Sequence, residues 1–248
     1  MSRGELGAAY RAATDHEAYL RGHSGLPGPR ANLELIAIAS AGSDRADLER
    51  WAALGPEAAP ENTPEVFLAC VGIVGLGRLV ADGDRSLLQT LRRSSNDPRW
   101  RVREAVAMAL QAWGDVDVDA LADEMERWAG GSPLEGRAAM AALCEPRLLR
   151  DRRAIERTLA ILDRLTAMVR DAGDGRVEEI RVLRQALGYG WSVAAAADVT
   201  IGLPALERWV PEPEANVRWI VRQNLTKGRL ARAAPGWVER VRAALAGS

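Results

Sequence analysis

The chain is short of aromatic residues and almost without lysine. Among its 248 residues there are three Tyr and one Phe beside eight Trp, and Lys227 is the sole lysine among 33 basic residues. The formal net charge is −1, so the global basic field of a dedicated nucleic-acid binder is missing. The two cysteines, Cys70 and Cys144, sit inside apolar helical text. They read as small buried hydrophobes of a reducing compartment, which excludes a disulfide scaffold or a spaced zinc framework. The two histidines, His16 and His23, have no Cys or acidic ligands in metal spacing and cannot complete a nucleophile–His–acid set.

Several motifs are also wanting. No GxSxG or phosphate-binding loop occurs, and Gly72-Ile73-Val74-Gly75-Leu76-Gly77 lies within an apolar helical run and follows no strand. Asp115, Asp117 and Asp119 lack the glycine and terminal glutamate of a calcium loop, and are expected to cap the next helix. Neither metal nor cofactor is expected. No apolar run approaches the roughly 18 residues that span a bilayer, and the amphipathic, acidic N-terminus does not read as a leader. A cytoplasmic protein with no membrane partner is the expectation.

What is present is helix. Ala and Leu dominate and β-branched runs are rare, which favours helix over sheet. The most regular stretch is 97–113, DPRWRVREAVAMALQAW. Asp97-Pro98 suits a helix start. Val102, Val106, Ala109, Leu110 and Trp113 then form one apolar stripe. Around it the punctuation predicts helices near 3–22, 31–41, 44–54, 64–81, 85–94, 117–129, 132–146 (with Ser132 and Glu135 in capping-box spacing and Pro133 first), 152–171, 177–196, 202–210, 214–225 and 235–246. Gly72, Gly75 and Gly77 inside the 64–81 helix each cost roughly 1 kcal/mol against Ala. That cost is tolerable where neighbouring helices approach closely, so this helix is expected at the centre of a core.

The acid-led Val-Arg pattern of 97–113 returns at 212–225, EPEANVRWIVRQNL, where Glu212 precedes Val217-Arg218 and Val221 and Leu225 take the places of Val106 and Leu110. Both stretches resemble the second helix of a HEAT repeat. Inner helices starting near 31, 64, 98, 133, 177 and 214 are spaced as in two-helix solenoid repeats. The expectation is an all-α chain. It is a single HEAT-like domain over 1–248, an α-solenoid of about six antiparallel helix pairs with a C-terminal capping helix. The resemblance implies fold rather than activity: a non-catalytic scaffold that binds a partner protein on its concave face.

Charge locates the expected site. Residues 1–91 carry 8 basic and 12 acidic side chains, whereas 211–248 carry 7 and 3. An anionic partner, nucleic acid included, would approach the C-terminal half. Candidate binding residues are Trp100, Arg101, Arg184, Tyr189, Trp219, Arg222 and Lys227, with Arg101, Arg184 and Arg222 as free cations. Basic groups beside planar aromatics can hold phosphates and stack bases. Against this, the resemblance implies that Asp97–Arg103 and Glu212–Arg218 are structural ion pairs between repeats. Alkylpurine DNA glycosylases share HEAT-like repeats and use Trp, Asp and Arg around an exposed lesion. That resemblance implies an alternative DNA-binding or glycosylase role, with Trp191 and Asp198, or Trp100 and Asp97, as its machinery. No catalytic residue is assigned on the preferred reading. Two glycines in 187–196, LGYGWSVAAA, predict close packing or ligand approach there.

Overall fold

The computed structural model describes residues 2–173 and 177–246. Among them all regular structure is helical: fifteen α-helices, one 3-10 turn and no strand. The chain divides into two compact units, Met1–Val116 and Asp117–Ser248, and each is described by itself.

The first unit holds α1 (Arg3–Ala12), α2 (His16–His23), α3 (Leu33–Gly42), α4 (Arg45–Ala52), α5 (Pro64–Ala81), a 3-10 turn at Arg85–Leu87, α6 (Leu88–Ser94) and α7 (Trp100–Gly114). Its centre is α5, which touches α2, α3, α4, α6 and α7. Every residue from Val66 to Gly77 is buried. By length and composition α5 is apolar enough to cross a membrane, contrary to the expectation that no run approaches this, yet 72% of it is buried inside the unit. Its glycines sit where neighbours come closest. A methyl on Gly72 would strike the backbone of α4 at Leu48 and Ala52, and one on Gly77 would strike α7 at Ala109.

Two of the boundaries that differ from the sequence pattern have a visible local cause. The expected 3–22 helix is broken at Ala13–Asp15, because the Asp15 carboxylate accepts from the Ala18 N–H at 2.9 Å and starts a new helix. Asp97 does not cap the helix after it. Its carboxylate holds the backbone N–H and guanidinium of Arg99, at 2.7–2.8 Å, and α7 begins at Trp100.

The second unit holds α8 (Val118–Trp128), α9 (Pro133–Leu143), α10 (Arg152–Asp171), α11 (Glu178–Ala197), α12 (Val199–Glu207), α13 (Ala215–Leu225), α14 (Gly228–Ala233) and α15 (Pro235–Ala246). Here α11 is the central helix, in contact with α9, α10, α12, α13 and α14. Ser132 accepts from the Glu135 N–H at 3.1 Å and Pro133 opens α9, as the sequence predicts. The glycines of α11 admit close neighbours: Gly188 lies against Trp219 and Gln223 of α13, Gly190 against Met140 of α9. Asn224, fully buried on α13, reaches into α11. Its Oδ1 accepts from the Ser192 N–H at 2.7 Å, and its Nδ2 donates to the Leu187 carbonyl at 2.9 Å.

Candidate functional site

The first unit contains an apolar groove of about 470 Å³. Its floor is Ile36 of α3, Phe67 and Cys70 of α5, and Ala105 and Met108 of α7, and the 26–31 loop closes one side with Leu26, Pro29, Arg30 and Ala31. Two large apolar side chains at the starts of their helices stand in solvent on its rim: Leu33 of α3, 60% exposed, and Trp100 of α7, 46% exposed. Such residues are ordinary singly, but beside an apolar groove they extend one hydrophobic surface.

Beside the groove, two buried arginines tie the loops to α7. Arg101 was expected to be a free cation, and it is not: it is 7% exposed. Its Nη1 donates to Glu61 at 2.7 Å, and its Nη2 donates to the Gly28 carbonyl at 2.7 Å and the Asn62 Oδ1 at 3.2 Å. One guanidinium therefore ties both the 26–31 loop and the 59–62 loop to the first turn of α7. Asn62 supports the same junction by accepting from the Gly28 N–H at 3.1 Å, from a left-handed backbone conformation (φ 65°) that Asn tolerates. Arg99, also buried, donates to the Ala59 carbonyl at 2.9 Å. The Trp100 ring lies over the Arg101 guanidinium, 4.3 Å from ring centre to Cζ. Burial pushes the Cys70 thiol up to about 12, and the Cys144 thiol likewise, which disfavours the thiolate form in both.

The remaining candidates fall in the second unit, where the cations are turned onto protein. Arg184 is half-buried, donates to Asn216 Oδ1 at 2.7 Å, and lies 4.6 Å over the Trp219 ring. Trp219 is thereby held between that guanidinium and the Gly188 backbone. Arg229 covers the ring of Tyr189, 4.6 Å away, and donates to its hydroxyl. Arg222 is exposed and donates to the Leu245 carbonyl at 3.3 Å, while Arg242 of α15 donates to the Leu225 carbonyl, so α13 and α15 each place an arginine on the other's last turn. Lys227 is half-buried at the start of α14, with no ion pair among the described residues.

No family model, curated protein or solved structure matches this chain. The reading of the site therefore stands on its own residues. Trp191 is fully buried and donates to Thr166 Oγ1 at 2.9 Å, and Asp198 starts α12 by accepting from Thr200, so both serve the interior and the cap. At the expected Asp97–Arg103 contact, Arg103 donates to the Asp97 and Pro98 carbonyls. Sequence reasoning missed Arg30, Leu33, Glu61, Phe67 and Met108. The HSGLPGP turn before Arg30 was the one available signal, since its two glycines and two prolines place a rigid loop there.

Proposed function

We propose that this chain is a non-catalytic binding module of HEAT-like helix pairs, and that it docks an apolar segment of a partner protein in the groove between α3, α5 and α7. The observation that carries the reading is the groove with its uncovered rim. Small-ligand sites bury most of their ligand in an enclosed apolar pocket. Here Trp100 and Leu33 remain 46% and 60% exposed beside the groove, and a chain lying across it covers floor and rim together. The HEAT-like arrangement is supported by the order of neighbours: α3 touches α5 and α5 touches α7 in the first unit, and α9 touches α11 and α11 touches α13 in the second. Nucleic-acid binding finds less support, because Trp219 and Tyr189 already carry arginines of the same chain on their faces.

The test is selection of peptides by the full chain from a random library about twelve residues long, roughly three helical turns. Met108→Arg, which fills the groove with a charge, is expected to abolish binding of the selected peptides, and Trp100→Ala to weaken it about tenfold, as for an aromatic anchor. Peptides that bind both variants as well as the parent chain would refute the docking reading.

A further inference from the structure

Resting on that docking reading, we infer that the docked segment carries a carboxylate next to its apolar anchor, and that Arg30 is the residue that recognises it. Three charged side chains line the groove: Arg30, Arg101 and Glu104. Two are committed. Arg101 is paired with Glu61 at 2.7 Å, and Glu104 already has a partner within the chain. Arg30 stands exposed on the loop that walls the groove, and its guanidinium has neither ion pair nor hydrogen bond among the described residues.

The imbalance extends below the rim. Arg101, buried under Trp100, has an Nε with no hydrogen-bond partner. The groove thus has donors in excess and no uncommitted carboxylate among its lining residues. A partner of negative sign completes that set, and one of positive sign meets Arg30 as an uncompensated like charge. Arginine presents its donors as a planar fork, which suits a carboxylate better than a neutral acceptor. Loop placement is firm: the 26–31 loop is held to α7 through the Gly28 carbonyl and to Asn62 through the Gly28 N–H. Arg30 is therefore presented from a fixed wall.

The experiment uses the same peptide library with the full chain and with Arg30→Glu, an exposed position where unchanged folding is expected and is checked by circular dichroism. Peptides enriched by the parent chain are expected to place Asp or Glu beside their apolar anchor. Changing that acid to Lys should weaken binding about tenfold, and the Lys peptide should recover on Arg30→Glu. Binding to the parent chain should also fall as salt rises, as for a rim charge. If groove-dependent peptides, those lost on Met108→Arg, bind equally well with Gln in place of the acid, the inference fails and the docking reading survives. If no enriched peptide depends on Met108, both fail. Two further outcomes would overturn both by naming another occupant. One is decanoate binding that Met108→Arg removes, in the absence of any groove-dependent peptide. The other is a dimer of this chain that dissociates on Met108→Arg.

Discussion

Gly77→Ala is the sharpest test of how the first unit is packed. Gly77 lies on α5 where α7 crosses it, and an added Cβ would come within 2.5 Å of both the Cβ and the carbonyl oxygen of Ala109. Ordinary contacts between such atoms are close to 3.5 Å or more. The helices must therefore separate by about 1 Å, and no flexible side chain can yield instead, because the obstacle is backbone. Overpacking of this kind costs about 1–3 kcal/mol, here at the upper end. Against it stands the better helix propensity of Ala, about 1 kcal/mol. The net expectation is a loss of about 2 kcal/mol, or roughly 4–8 °C in Tm. Gly22→Ala is the control. It lies in α2 of the same unit with nothing within 4 Å of the new methyl, so only the propensity gain remains, about 0.5–1 kcal/mol. The two substitutions are chemically identical and should move the urea midpoint in opposite directions, followed by far-UV circular dichroism. A Gly77→Ala chain as stable as its parent would show that α5 and α7 do not meet in this way.

Glu61→Gln removes the carboxylate that neutralises buried Arg101 and should cost roughly 2 kcal/mol, less than a fully buried pair because Glu61 keeps some contact with water. Denaturation titrations would show it, and stability equal to the parent would refute the assignment of Arg101 as the tie between loops. Asn224→Leu removes the side-chain hydrogen bonds to the Ser192 N–H and the Leu187 carbonyl at the α11–α13 contact. A loss of about 2–3 kcal/mol is expected from the same measurement, and a gain would mean that packing outweighs those bonds. Burial raises the Glu17 carboxyl, but hydrogen bonds from Arg50, Trp51 and Arg21 outweigh it and bring it from 4.5 down to about 2. Its contribution is therefore complete above about pH 4.5 and lost as pH falls towards 2. Glu17→Gln should flatten the stability–pH curve in that window, and an unchanged slope would sink the claim.

How much of this was legible in the sequence depended on the range of the interaction. The helices of 64–81, 152–171 and 177–196 stand close to where periodicity put them, and Ser132-Pro133 opens α9 as its residue types predict. Caps and apolar stripes are relations between residues three or four apart, so the chain carries them in plain order. The glycines of α5 announced close approach for the same reason: inside a helix they have no local use. What met them did not follow from the pattern, since Ala109 is brought to Gly77 only by the fold. Arg101 is the clearest case. By helical spacing it looked like a free surface cation, and its burial is decided by Glu61 and Gly28, which lie 40 and 73 residues earlier. Trp219 likewise looked free, and it is Gly188 and Arg184 of another helix that enclose it. Asp97 had the right type for a helix cap, and the competing guanidinium of Arg99 took its carboxylate. A residue's type and spacing determine whether it can cap, bury or pair. Which partner it finds is decided by tertiary packing, because a charge or a ring is satisfied by whatever the fold brings within about 4 Å.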